Sequence, residues 1–382
     1  MLKSSFYSLF ITLICFFSEM KGQEIISIDS LKINQIQTLG SHNSYHQRAN
    51  KFVLRFLKGL SGLLPKEFNP KELDYAHEPL PVQLDSFHLR SFELDIYADP
   101  NGGLFYNRKK NNLLGKPKAS NIDALKAPGF KLLHIPDIDY NAHYPTFVSA
   151  LSELKKWSDA HPQHLPIYIL VECKVESIAE KLKKMHFTNT LPFTPEIVND
   201  IDKEIKSVFG DSLNNIITPD KVRGNYATLN EAVLAHNFPT IGEARGKFIF
   251  VMMEVGADNY LLNHPSLKGR AMFTFSSPDK PECAFIKFDD ALENEAKIMD
   301  AVKKGYIIRT RADSPNKQNR SGDYSQQQAA FRSGAQIISS DYYTPDLRYK
   351  KHPKKFTNYS TKFPGADIGR INPVNVPASK LK

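Results

Sequence analysis

Two short stretches of this chain carry residues suited to metal-assisted phosphoryl chemistry. The first is Leu39-Gly40-Ser41-His42-Asn43-Ser44, and the second, about fifty residues on, is Glu93-Leu94-Asp95. A histidine exchanges a proton near neutral pH. An Asn carbonyl oxygen and two carboxylates are hard ligands of the kind Ca²⁺ takes. Alternate residues of a strand share a face, so Glu93 and Asp95 look into one space. Phe92, Leu94 and Ile96 alternate with them and need burial, which turns the acids toward an interior where an unpaired charge is costly. A metal or a basic partner would compensate them.

The elements that must position these groups read as alternating strands and helices. Candidate strands are 33–39, 91–95, 131–134, 167–172, 248–252, 285–288, 306–311 and 336–340. The first is poorly periodic, since Asn34, Gln35 and Gln37 interrupt it. The fourth, Ile167-Tyr168-Ile169-Leu170-Val171, has the unbroken apolar run of a strand buried on both faces. Helical patterns cover 144–161, about 194–209 opening at Thr194-Pro195, a start at Thr228, 290–304 stopping at Gly305, and 323–333 stopping at Gly334. Such alternation argues for a parallel sheet, and eight units for closure. The expected fold is α/β, a (β/α)₈ TIM-type barrel. Residues 97–130 read as an insertion after strand 2, and the tail beyond Tyr342 as a C-terminal extension.

In such a barrel, chemistry sits at the C-terminal ends of the strands. There the sequence offers His42 with Asn43, Glu93 with Asp95, His134, Glu172 with Lys174 just beyond, Arg309 and Arg311 with Asp313 beyond, and Asp341 followed by Tyr342 and Tyr343. Each has a plainer reading. His42 could cap a turn, and Asn43 could serve a loop backbone or an Asx turn. His134 could be a satisfied core histidine, Glu172 could pair with a lysine, and the arginines could pair with Asp313. The remaining histidines, His46 and His77 among them, fall in loops or on helix faces and carry no expected role. There is no HExxH, CxxC pair, GxSxG or glycine-rich nucleotide loop, which disfavours zincins, zinc ribbons, serine hydrolases and dinucleotide enzymes.

The 382 residues, 41% hydrophobic and 11% aromatic, suffice for a large core. Lys3 and the apolar run 6–17 read as a signal peptide over residues 1–22, leaving one catalytic domain over 23–382. Met20 is larger than the usual residue before a cleavage site, so an uncleaved anchor is the alternative. Cys173 and Cys283 lie in apolar runs and read as buried free thiols. Net charge is +9, and removing Lys3, Glu19 and Lys21 leaves +8. That balance favours anionic partners, a lipid headgroup plane or nucleic acid. The basic clusters are Arg108-Lys109-Lys110, beside Phe105-Tyr106, and Lys350-Lys351 with Lys354-Lys355; the first is the expected membrane contact.

The stretches 39–45, 92–95, 133–134, 170–172 and 334–343 together resemble the bacterial calcium-dependent branch of phosphatidylinositol-specific phospholipase C, in the phosphodiesterase barrel superfamily. The resemblance spans about residues 33–343. It implies catalytic histidines at His42 and His134 and Ca²⁺ on Asn43, Glu93, Asp95 and Glu172; Lys174, Arg309, Arg311, Asp341 and Tyr343, from the strand ends, are the expected substrate contacts. The gap between the Glu-x-Asp pair and His134 is longer than in eukaryotic members. The implied reaction is attack of the inositol 2-hydroxyl on phosphorus, assisted by Ca²⁺. A carboxylate or His42 takes the proton and His134 protonates the leaving glycerol oxygen, giving diacylglycerol and an inositol cyclic phosphate. The expected partner is a phospholipid at a membrane surface, not nucleic acid, met by an exported monomer, periplasmic or secreted. The rival readings are a glycerophosphodiesterase or sphingomyelinase D-like enzyme, a glycoside hydrolase using Glu93 and Glu172, and a non-enzymatic polyanion binder.

Overall fold

The computed structural model describes residues 27–59, 70–109, 117–177, 187–365 and 368–376; the leader 1–22 and Lys110 fall outside them. Among the described residues, ten strands form one sheet. They are β1 (Ile36–Ser41), β2 (Ser91–Tyr97), β3 (Lys131–Leu132), β4 (Ile167–Cys173), β5 (Phe248–Met252), β6 (Phe273–Thr274), β7 (Phe285–Asp290), β8 (Ile307–Arg311), β9 (Ile337–Ser340) and β10 (Gly369–Ile371). Eight run parallel in the order β6-β5-β4-β2-β1-β9-β8-β7. A parallel bridge from Phe275 to Phe285 joins the two ends, so the expected barrel is nearly closed.

One of its staves is not the expected one. The run 131–134 supplies only β3, which pairs antiparallel with the C-terminal end of β2, Ile96 to Leu132 and Tyr97 to Lys131. It is not a barrel strand. Lys131 gives the reason: its buried ammonium donates to Ala127 O at 2.6 Å and Gly129 O at 2.8 Å, closing the insertion rather than facing a helix layer. The stave missed in the sequence is β6, whose two residues are too few to show a period. The first run also begins later than expected. Ile33–Gln35 is a 3₁₀ turn, and its buried Asn34 donates to Gly305 O at 2.9 Å. In β1 itself Gln37 is fully buried, donating to Ala335 O at 2.8 Å and accepting from Arg370 at 2.7 Å.

The helices form where sequence places caps. Thr146, Thr194 and Thr228 accept N–H bonds from the first turns of Phe147–Ala160, Pro195–Phe209 and Leu229–Leu234. Asp290 caps Ala291–Lys304, which ends at Gly305 with φ 108°. Their apolar faces, such as Leu151, Leu154, Ile201 and Ile298, join the strands in one continuous core. The tail wraps the barrel as expected. β10 pairs antiparallel with β1, the Tyr359 hydroxyl donates to Ala312 O at 3.1 Å, and Thr361 donates to Ser340 at 2.9 Å. Cys173 and Cys283 are free and buried, and among the described residues no helix is long and apolar enough to cross a membrane.

The end of β1 depends on a close approach. A Cβ at Gly40 would lie 2.5 Å from Ser91 O and 2.6 Å from Ser91 Cβ, two residues before His42. Gly40→Ala is therefore expected to destabilise the fold by about 1–3 kcal/mol in urea unfolding, through overpacking. A neutral result would mean that β1 and β2 can separate here at no cost.

Candidate active site

The two stretches that opened the sequence are stapled together by backbone. Ser44 N–H donates to Glu93 O at 2.9 Å, and Ser44 Oγ accepts from Glu93 N–H at 2.8 Å. Between them the chain turns at Asn43, whose φ of 48° lies in the left-handed region that Asn tolerates. The loop reading of Asn43 therefore holds beside any chemical one. The turn projects His42 across the mouth to the end of β9, where its Nδ1 meets Asp341 Oδ1 at 3.0 Å. Arg311, from β8, donates to Asp341 Oδ2 at 2.7 Å and lies 3.5 Å from His42 Nε2. Burial alone would raise the Asp341 carboxyl, but His42 and Arg311 outweigh it and hold it well below the usual range. Asp313 lies behind, accepting from the backbone N–H of Asp341 at 2.9 Å and Tyr342 at 3.2 Å. Burial and the Asp341 charge push it up to about 6.

Glu93, Asp95 and Glu172 each present a carboxylate oxygen within 4.8 Å of the others. Arg309 and Glu93 are both only 1% exposed, and Arg309 donates to Glu93 Oε2 at 2.7 Å while also gripping Asp289. Glu93 Oε1 is left buried without a hydrogen bond, 3.6 Å from His42 Nε2. Burial and the neighbouring Glu172 charge raise Asp95 well above a normal carboxyl. Burial would raise Glu172 too, but Lys174, 3.1 Å from its Oε1, brings it below its ordinary value. The Asn43 carboxamide sits between Tyr75, 2.9 Å from one amide atom, and the Asp95 oxygens, 2.8 and 3.1 Å from the other. With nitrogen toward Asp95, the amide donates to the carboxylate and accepts from the tyrosine hydroxyl. With oxygen toward Asp95, two oxygens stand at the spacing that a shared cation brings about.

A third group was not foreseen whole. His134 Nδ1 meets Asp139 Oδ2 at 2.9 Å, and His46 Nε2 meets the same carboxylate at 2.9 Å. Burial opposes the Asp139 charge, yet the two imidazoles hold it down to about 2. Burial also pulls His134 below its ordinary value, more than Asp139 restores. His46 is no loop histidine: it is fully buried, stacked on Tyr75 at 4.4 Å. His77 is buried as well, its Nε2 donating to His42 O at 2.6 Å. Tyr343 stacks on His77 at 5.3 Å and accepts from Glu78 N–H at 3.0 Å, which supports that loop and leaves its O–H free to donate. The spacing His42…His46 and His134…Asp139 was visible in sequence. Nothing local says that Asp139 and His46, 93 residues apart, meet.

The family described as "Phosphoinositide phospholipase C, Ca2+-dependent" matches residues 31–373 of this chain. The chain belongs to that family. In structure it resembles a calcium-dependent phosphoinositol-specific phospholipase C from a Gram-negative bacterium, Pseudomonas sp., with a TM-score of 0.51 at 15% identity over 83% of this chain and 93% of that one. It also resembles a Ca²⁺-dependent phosphatidylinositol-specific phospholipase C from Streptomyces antibioticus, with a TM-score of 0.51 at 16% identity over 82% and 95%. No curated protein matches it. As a phosphoinositide phospholipase C it is a phosphodiesterase that cleaves phosphatidylinositol-type phospholipids, and its cofactor is Ca²⁺. The residues fit that ion. The donors around Glu93, Asp95, Glu172 and Asn43 are all oxygens, a set suited to Ca²⁺ rather than Zn²⁺. The orphaned Glu93 Oε1 and the unsettled Asn43 amide are what such a pocket leaves when the ion is not counted.

The His134–Asp139–His46 group makes a prediction about acid. A carboxyl at about 2 when folded and about 3.9 when unfolded contributes about 2–3 kcal/mol of stability. That contribution is present above about pH 4 and lost as pH falls toward about 2. The stability gap between the wild type and Asp139→Asn, from urea unfolding, should therefore narrow between pH 5 and pH 2.5. A gap independent of pH would show that the carboxylate is not held by charged imidazoles.

Proposed function

We propose that the phosphodiester is cleaved between the His42–Asp341 pair and His134, with Asn43, Glu93, Asp95 and Glu172 holding the Ca²⁺. The observation that carries this reading is the cluster of three carboxylates with oxygens within 4.8 Å, one of which, Glu93, also lies 3.6 Å from His42 Nε2. Bound there, Ca²⁺ would offset charge on the phosphoryl group and acidify the attacking hydroxyl. Asp341 fixes the His42 tautomer by accepting from Nδ1–H, leaving the Nε2 lone pair to take the proton of the inositol 2-hydroxyl. Asp341 then stabilises the imidazolium. Arg311, 3.5 Å from His42 Nε2, faces the phosphoryl oxygens together with Lys174. Arg309 works from behind by orienting Glu93. Asp139 accepts from Nδ1–H of His134 and stabilises its imidazolium, whose Nε2–H can protonate the leaving glycerol oxygen. A glycerophosphodiesterase would use the same metal cluster; a glycoside hydrolase would not need it.

Calcium-dependent release of inositol phosphate from phosphatidylinositol vesicles, reduced at least about 10²-fold in His42→Ala, is the expected result. Activity that survives EGTA or that substitution would overturn the reading. Release from glycerophosphoinositol but not from the lipid would move the substrate to the glycerophosphodiester class.

We also propose that the chain is exported by its leader and works as a monomer at a lipid surface rather than on nucleic acid. The expected contact in the insertion has little support: Phe105 is buried and the Arg108 guanidinium lies over the Tyr140 ring at 3.8 Å. A better surface rims a cavity of about 750 Å³ that reaches His77 and Asp341. One side is the helix Lys51–Gly59, with Lys51, Arg55 and Lys58 exposed and Phe52 53% exposed. The other carries Leu347, 66% exposed, followed by exposed Lys350, Lys351, Lys354 and Lys355. Basic residues around exposed apolar ones suit an anionic bilayer. In vesicle co-sedimentation, Phe52→Ala with Lys350→Glu and Lys351→Glu should bind phosphatidylserine vesicles at least about fivefold more weakly than wild type. Equal binding would remove this surface.

A further inference from the structure

Lys174 stands inside the pocket assigned above to Ca²⁺. It follows β4 two residues after Glu172, and its backbone N–H is fixed on Ile96 O at 2.9 Å. Its ammonium is 3.1 Å from Glu172 Oε1, 3.9 Å from Asp95 Oδ2 and 3.8 Å from Glu176 Oε2. Two of these three carboxylates are proposed metal ligands. An ammonium and a Ca²⁺ that share them would be like charges a few ångströms apart in a site where Asp95 is fully buried, and little water screens the repulsion. Glu93 takes no part in this contest, because Arg309 already balances it. The third carboxylate, Glu176, differs from the other two: its side chain is 65% exposed and it lies toward solvent.

We propose that Lys174 is a resident counter-ion of the calcium pocket, which competes with the metal for Glu172 and Asp95 and transfers to Glu176 when the metal binds. The inference rests on the ligand assignment under Proposed function. It gives the pocket two compensated states. Without metal, one ammonium neutralises a pair of carboxylates that would otherwise repel each other. With metal, the ammonium leaves for a carboxylate already within reach, and only a short swing of a flexible side chain is needed. The consequence is a Ca²⁺ affinity set deliberately low, because each binding event must displace an internal cation. The freed ammonium stays beside the pocket, where the phosphoryl oxygens of a substrate would arrive.

The test is a Ca²⁺ titration by calorimetry in EGTA-stripped protein without substrate, on wild type, Lys174→Met, Glu176→Gln and Asp95→Asn. Lys174→Met should bind Ca²⁺ about tenfold tighter or more, because the competing charge is gone. It should also melt at lower temperature without metal and gain more from Ca²⁺ than wild type does. Glu176→Gln changes an exposed group and is expected to fold. It should weaken binding several-fold, because the displaced ammonium loses its alternative partner. Unchanged or weaker binding in Lys174→Met, or unchanged binding in Glu176→Gln, would overturn the inference. Wild-type affinity in Asp95→Asn would instead overturn the ligand assignment, and this inference with it.

Discussion

The mouth of this barrel is organised around buried negative charge and what compensates it. Glu93, Asp95, Asp139, Asp313 and Asp341 are all buried there. A lone carboxylate so placed would give up its charge. Each therefore has a cation or a set of donors within reach. Arg309 balances Glu93, Arg311 and His42 balance Asp341, and His46 with His134 balance Asp139. Asp313 is held by the N–H groups at the end of β9 and rises to about 6. Around Asp95 the compensation is shared, since Lys174 stands closer to Glu172 than to Asp95. Asp95 is fully buried, beside Glu93 and Glu172, with a lysine ammonium no closer than 3.9 Å. Three carboxylates, Glu93, Asp95 and Glu172, thus crowd one spot of the mouth.

Much of this was legible in the sequence because the chemistry is written into strand ends. The pairs His42-Asn43 and Glu93-Asp95 flank short apolar runs, and the period of two turns both acids inward. Glu172 closes the unbroken apolar run 167–171. What could not be read is whatever depends on a chain folding back. β3 has the composition of a strand, and only its antiparallel partner, the end of β2, shows that it lies off the barrel. β6 is two residues long and takes its place through Phe275 and Phe285. His46 and His77 sit in segments with no periodicity, and their burial comes from Asp139 and Tyr343, both far away in sequence.

The polar residues that spoiled the first strand have their own explanation at the opposite end. Asn34, Gln37 and Gln336 are buried at the N-terminal face. Gln336 accepts from Ile308 N–H at 2.8 Å and donates to Asn34 O at 2.9 Å, Asn34 donates to Gly305 O, and Gln37 donates to Ala335 O. These side chains satisfy backbone groups where strands begin and no ladder partner is left. The interruption that weakens a strand pattern is therefore the closing of the barrel floor. The two faces divide the work, with amides securing the floor while carboxylates and their counter-ions fill the mouth.

The proposed metal pocket and His134 share a wall, and this bears on how precisely the side chains of the mouth are held. Asn43 meets the Tyr75 hydroxyl at 2.9 Å, Tyr75 stacks on His46 at 4.4 Å, His46 meets Asp139 at 2.9 Å, and Asp139 meets His134 at 2.9 Å. Every member is buried except His134 at the open end. The orientation of the Asn43 amide decides whether Tyr75 donates its proton to Asn43 or accepts one from it, since a phenol does either and an amide presents one face only. A cation at Asp95 favours the amide oxygen on its own side, and so turns the tyrosine hydroxyl into an acceptor. The polar state of this wall would then follow whatever cation Asp95 holds, while the packing that keeps His134 in place is independent of it.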